Sequence, residues 1–111
     1  MKLKVSLIQD SPIFFDKDAT ITKMGRLIQE NKDSDLIIFP ETFVPGYPRG
    51  FSFGAVIGSR SDEGRELYAT YHKNSITQDG QEMQRLVSIS KSTHTYLVFG
   101  FTEKINENGS L

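Results

Sequence analysis

The N-terminal third of the chain changes from a period of two to a period near 3.6. Leu3, Val5 and Leu7 alternate with polar residues, which predicts a strand with one face inward. Asp16 and Asp18 then offer caps for a helix that ends near Asn31. The apolar stripe predicted for this helix consists of Ile21, Met24, Leu27 and Ile28.

A continuous apolar run follows at residues 36–39 and predicts a short strand buried on both faces, as in α/β sheets. Strand, helix and strand together form a βαβ unit. The later elements are predicted as a helix from residues 61–63 through Tyr71, a helix after Asp79 and Gly80 that carries Met83, Leu86, Val87 and Ser90, and a strand at 96–101. The fold class predicted from this order is α/β.

The 111 residues are enough for one small domain, and 37% apolar residues support a hydrophobic core. Asn108 and Gly109 are typical of a hairpin turn, yet the chain stops after two more residues. A turn with a single arm buries too little surface to offset its ordering entropy. We therefore expect residues 1–111 to be the N-terminal portion of a single, longer domain.

The charge and composition exclude several classes of function. Thirteen basic and fourteen acidic residues leave a net charge of −1, which argues against a nucleic-acid partner. The sequence contains neither an apolar segment of about 18 residues nor a signal peptide, so we expect no membrane partner and a cytoplasmic location. The absence of cysteine excludes disulfides, thiolate metal ligands and a cysteine nucleophile within these residues.

Glu41 is the first candidate for a catalytic or ligand-binding residue. Pro40 removes a backbone donor and ends the second strand, so that Glu41 enters the following loop. Ligands of parallel α/β sheets bind beyond the carboxyl ends of the strands, which is where this carboxylate is expected. The plainer interpretation is a solvated acid or a helix cap, and position alone does not separate the two.

The loop after Glu41 is rich in proline, glycine and aromatic residues, which favours a defined conformation. Its aromatic residues are candidates for the wall of a pocket, or for simple packing under the loop: Phe43, Tyr47, Phe51 and Phe53. Arg49 is a candidate partner for an anion, although a surface ion pair is the commoner role of a single arginine.

Other candidate sites are weak. His72 and His94 lie in different elements without the carboxylates or spacing of a metal site. The serines at 88, 90 and 92 lack the glycine-flanked turn of a hydrolase nucleophile, and the glycines do not match a phosphate-binding spacing. The sequence thus gives no reason to expect a metal or a cofactor.

The segment "LIIFPETFVPGYPRGFSFG", residues 36–54, resembles the first signature of the nitrilase superfamily of carbon-nitrogen hydrolases. Its proline, glycine and tyrosine pattern is more similar to the nitrilase branch, which includes cyanide-converting enzymes, than to the amidase branches. The stretches "GSRSDEGRELYATY" and "YLVFGFTEKINENGSL" continue the likeness. The resemblance therefore covers essentially the whole chain.

This resemblance implies an α-β-β-α sandwich and a cysteine that forms a covalent thioimidate with a small-molecule nitrile. It assigns Glu41 as the general base, held in a dry pocket, and places Tyr47 in contact with the substrate. The lysine and the cysteine of such enzymes have no matching motif here, and Lys91 and Lys104 do not replace that lysine. The isolated chain is therefore expected to be inactive, and the complete enzyme to be a homo-oligomer.

Two alternatives to a nitrilase remain open at this point. An amidase or carbamoylase of the same superfamily would share the glutamate, lysine and cysteine but act on amides. A truncated, non-catalytic remnant would act at most as an interaction module. Such a remnant would expose the apolar sheet face meant for the missing elements, which favours association.

Overall fold

The computed structural model of the chain describes residues 1–47 and 62–105. Its strands form one parallel sheet in the order β1-β2-β3, which confirms the predicted α/β class. The elements in chain order are β1 (Val5–Leu7), α1 (Lys17–Glu30), β2 (Leu36–Ile38), α2 (Asp62–Lys73), α3 (Gln81–Thr93) and β3 (Tyr96–Val98). The turn predicted at 108–109 lies outside the described residues.

The central row of the sheet faces the helices. Ser6, Ile37 and Leu97 are aligned in register, and Ile37 is fully buried in the core cluster that includes residues of α1 and α3. The predicted stripe of α1 is confirmed, because all four of its apolar residues are buried. The core is completed from other elements by Phe39, Phe43, Val44, Ile76 and Leu86. One helical layer on one sheet face thus gives the first two layers expected of an α-β-β-α sandwich.

The apolar face of β1, which the alternation predicts to point inward, is not the face that the helices cover in the described residues. Leu3, Val5 and Leu7 are exposed, whereas Ser6 is half-buried on the helical side and its hydroxyl lies 2.5 Å from that of Ser34. A period of two indicates that the two faces differ, but helix packing decides which face is covered. The prediction for β2 was also too strong, because only its central residue is buried and both neighbours are half-buried.

Within residues 1–47 and 62–105, the rows on either side of the central one form an apolar sheet face that no described helix covers. Val5, Leu36 and Tyr96 are in one row, and the other row consists of Leu7, Ile38 and Val98. Tyr96 is 78% exposed. In proteins of known layered architecture a sheet face of this composition packs against another layer.

α1 begins after one of the predicted acidic caps, Asp16, and ends beside Asn31 as predicted. The Asp16 carboxylate accepts a hydrogen bond from the Ala19 amide at 3.0 Å, and the Asn31 side chain donates to the Leu27 carbonyl at 2.8 Å. Within the ranges that the structure describes, no helix has both the length and the apolar character needed to cross a lipid bilayer.

An ion pair joins the first turns of α1 and α3. Lys17 Nζ lies 2.5 Å from Glu82 Oε1, and the two side chains are only 24% and 14% exposed. Burial raises the pKa of Glu82, but the hydrogen bond and charge of Lys17, with a further contribution from Lys104, outweigh it and hold the pKa below its ordinary value. The pair therefore stabilises the fold when Glu82 is ionised.

We expect Glu82→Gln to lower the free energy of unfolding of the intact protein by about 1–2 kcal/mol at pH 7. Because the folded-state pKa is depressed, this difference is present above about pH 4.3 and shrinks as the pH falls through the folded value. Urea unfolding at pH 7 and in acid checks it. Glu30→Gln is the matched control, since the Arg26–Glu30 pair is more than half exposed; an equal loss in both variants would contradict the prediction.

Candidate active site

Glu41 lies at the carboxyl edge of the central strand, as its position after Pro40 predicts. β2 ends at Ile38, and the amide of Phe39 makes the last regular sheet contact by donating to the Val98 carbonyl at 2.8 Å. The Glu41 side chain is exposed among the described residues. A carboxylate in this position is open to the crevice where ligands of parallel sheets bind.

A tight backbone turn carries the chain past Glu41 and back to the sheet. Thr42 has a positive φ of 47°. The Phe43 amide then donates to the Gly100 carbonyl at 2.8 Å, and Val44 pairs with Phe101 in a parallel bridge. The turn is therefore hydrogen-bonded to the end of β3 on the side of Phe39 and to the segment that follows β3 on the side of Phe43.

Phe43 does not line a pocket in this structure. Its side chain is 1% exposed, and its ring centroid lies 5.3 Å from that of Phe39 within the core. The pocket-wall interpretation of Phe43 was therefore wrong, and the packing interpretation is confirmed for this residue. Phe51, Phe53 and Arg49 lie outside the described residues.

Tyr47 remains exposed at the same edge, with 55% of its surface accessible. The preceding Gly46 has a φ of 119°, and a Cβ there would lie 2.7 Å from Cδ1 of Phe14. The Phe15 amide also donates to the Pro45 carbonyl at 3.0 Å. The loops after β1 and β2 thus pack together, and the second presents the Tyr47 ring to solvent.

Phe14 is a further candidate residue of this site, and the sequence patterns did not single it out. Its ring is 56% exposed, although it packs on Gly46 beside Tyr47. It stands near Phe15, whose ring meets Tyr71 edge to face at 5.4 Å. The sequence signal that could have identified it is the pair of aromatic residues, Phe14 and Phe15, in the loop after the first strand. This loop lies at the same sheet edge as Glu41.

The loop after β1 also contains a carboxylate, Asp10, but its charge is already matched. Lys23 Nζ lies 2.9 Å from Asp10 Oδ1, and this hydrogen bond, with a second one from the Ser11 amide, lowers the pKa of Asp10. Asp10 is therefore a poorer candidate for a proton acceptor than its position alone would indicate.

The remaining candidates do not gather at this edge. His94 is the C-cap of α3, with a φ of 55°, and Lys91 is exposed in the last turn of that helix. Lys104 is buried and contributes its charge near Glu82. Across residues 1–47 and 62–105, no group of three or more histidines and acids is arranged to hold a metal ion.

Comparisons with known proteins agree with the resemblance drawn from the sequence. The model of the carbon-nitrogen hydrolase family matches residues 4–111. Nitrilase 1 of Arabidopsis thaliana is 40% identical over 104 residues, and the bifunctional nitrilase/nitrile hydratase NIT4A of Nicotiana tabacum is 38% identical over the same length. NIT4 of Oryza sativa subsp. japonica, of the same bifunctional description, is 40% identical over 108 residues.

These alignments cover 92% of the chain but only 30% of each relative, so the chain spans about a third of the length of the curated relatives it matches. The family match itself extends over nearly every residue. It includes both the central strand and the turn that presents Glu41. The chain therefore belongs to the carbon-nitrogen hydrolase family.

Proposed function

We propose that residues 1–111 are the N-terminal portion of a nitrilase that hydrolyses a small-molecule nitrile to a carboxylic acid and ammonia. The observation that carries this proposal is the exposed Glu41 carboxylate at the carboxyl edge of the central strand. It lies within the segment that resembles the nitrilase signature. The names of the similar plant proteins, which include nitrilase and nitrile hydratase, support the same class of substrate.

In the proposed reaction, Glu41 accepts the proton of a cysteine thiol supplied by a later part of the protein. The thiolate forms a bond to the nitrile carbon, and the nitrogen takes up the proton to give a thioimidate. One water then releases ammonia and leaves a thioester, and a second water releases the acid and restores the thiol. A carboxylate within hydrogen-bond reach of the thiol is suited to both proton transfers.

Tyr47 is proposed to contact the nitrile. Its exposed ring lies six residues after Glu41 on the same loop, which packs on Phe14 and Phe15 at the sheet edge. An aromatic side chain held by a packed loop gives apolar contact area at low entropic cost. We further propose that the complete enzyme is a cytoplasmic homo-oligomer that uses no cofactor.

Ammonia and amide production by the complete protein test this function. Incubation with an aliphatic and an aromatic nitrile is expected to release ammonia and acid, whereas the corresponding amides are expected to react at least about tenfold more slowly. Reading the coding sequence beyond Leu111 checks that a lysine motif and a cysteine motif follow.

Other outcomes identify the alternatives. Ammonia from amides but not from nitriles would replace the proposal with an amidase or carbamoylase. Accumulation of amide from the nitrile would instead indicate a hydratase. Inactivity on both substrate classes, together with a coding sequence that stops at Leu111, would support the non-catalytic interaction module.

A further inference from the structure

The segment that contains Glu41 is longer than the segment it is hydrogen-bonded to. The Phe39 amide donates to the Val98 carbonyl, and the Phe43 amide donates to the Gly100 carbonyl, both at 2.8 Å. Between these two hydrogen bonds, the chain therefore moves four residues forward from Phe39 to Phe43 but only two from Val98 to Gly100. The extra length forms a bulge, which we define as residues 40–42, and Glu41 is at its centre.

Gly100 lies directly under this bulge. A Cβ at residue 100 would be 2.5 Å from the Thr42 amide nitrogen and 3.1 Å from Cα of Glu41. Both obstacles are backbone atoms, which cannot swing aside as the end of a side chain can. The bulge can therefore lie this close to the strand only because residue 100 has no side chain.

The backbone around this contact is fixed on each side. Phe43 and Val44 are buried, and the Val44 carbonyl accepts from the Thr102 amide at 2.8 Å. On its other edge, the segment after β3 pairs with Ile76, whose carbonyl accepts from the Lys104 amide at 2.9 Å. The steric clash of a methyl group added at residue 100 would thus be relieved by a displacement of Glu41 and Thr42 rather than of the strand.

The backbone conformation of Thr42 is unfavourable by itself, so the bulge needs contacts from neighbouring residues to hold it. A β-branched residue at a φ of 47° is sterically unfavourable, so the turn persists only while neighbouring contacts hold it. The hydrogen bond of Phe43 to Gly100 and the close approach over Gly100 supply those contacts.

We propose that Gly100 is a positioning residue for Glu41: its lack of a side chain lets the bulge close and so sets the place of the Glu41 carboxylate at the sheet edge. This inference rests on the proposed function of Glu41 as the general base. It assigns no contact between Gly100 and the substrate. It makes the catalytic geometry depend on a residue 59 positions further along the chain.

The test is Gly100→Ala in the complete protein, with nitrile turnover as the first measurement. A displacement of the base by about 1 Å is expected to lower kcat by about 10- to 100-fold, with KM changed by less than about threefold. Gly25→Ala is the control, because a Cβ there meets only the flexible end of Ile89 at 3.3 Å; its kcat should stay near that of the wild type.

A double-mutant cycle shows whether the effect passes through Glu41. In a Glu41→Gln background, Gly100→Ala is expected to lower the residual rate by less than about threefold, because the base is already gone. Amide exchange at Phe43 is expected to accelerate in Gly100→Ala, whereas exchange at Phe39 is expected to stay slow. Wild-type kcat in Gly100→Ala, or fully additive losses in the cycle, would overturn the inference.

A second variant covers the case in which Gly100→Ala does not fold. Adding Thr42→Gly lets the bulge move away from the new methyl group, so this double variant is expected to fold with kcat still reduced. A folded double variant with wild-type kcat would contradict the positioning role. If Glu41→Gln keeps near-normal turnover, the proposed role of Glu41 fails first, whereas an inactive Glu41→Gln with a fully active Gly100→Ala refutes only the inference on Gly100.

Discussion

Glu41→Gln in the complete protein is expected to lower kcat on a nitrile at least about 100-fold. The amide is nearly isosteric with the carboxylate, so it preserves packing at the sheet edge but cannot accept a proton from the thiol. Because the Glu41 side chain is exposed among the described residues, the substitution should leave the free energy of unfolding within about 0.5 kcal/mol of the wild type. Steady-state ammonia release and urea unfolding measure the two quantities.

Glu30→Gln is the matched control for this prediction. Glu30 is also an exposed glutamate, but it lies at the end of α1 and pairs with Arg26 at 2.9 Å. Its replacement is expected to change kcat by less than about twofold, since surface substitutions away from a site have small effects. Near-normal turnover of Glu41→Gln would remove Glu41 from the mechanism.

The second large effect is expected on stability, from Phe43→Ala. The Phe43 side chain is 1% exposed and packs against Phe39 in the core, so its loss leaves a cavity that the surrounding strands cannot fill. We expect the free energy of unfolding of the complete protein to fall by about 3–5 kcal/mol. Urea unfolding followed by circular dichroism provides the measurement.

Phe14→Ala removes the same side chain from a position that is 56% exposed. Its cost is expected to stay below about 1 kcal/mol, because much of the ring is already in contact with water. Equal losses from Phe14→Ala and Phe43→Ala would show that Phe43 is not part of the core. A comparison of kcat in the two variants also shows whether Phe14 affects the proposed substrate contact.

The local sequence pattern was sufficient to predict much of the fold. The apolar stripe of α1, its N-terminal cap and the strand before Pro40 could all be predicted from residues within one or two turns of each other. Their structure is decided by local propensity and by the apolar face that each element must bury. The position of Glu41 at a strand end followed from the same local information.

The remaining features depend on contacts between residues far apart in the chain. The covered face of β1 is set by the packing of α1 and α3, which an alternating pattern does not encode. The burial of Phe43 and the bulge at Glu41 depend on pairing with Gly100. A glycine at that position could not be distinguished from any other strand glycine until the two segments were brought together.

The parallel sheet also sets an order of assembly. Between Leu7 and Leu36 lie 28 residues, whereas 57 lie between Ile38 and Tyr96. Closing the longer connection costs about 0.6 kcal/mol more in chain entropy, and non-local pairings of this kind are slow to form. The β1–β2 pair, joined by α1, is therefore expected to form first. Since the Glu41 bulge closes only on the segment after β3, this bulge is expected to form when β3 joins the β1–β2 pair.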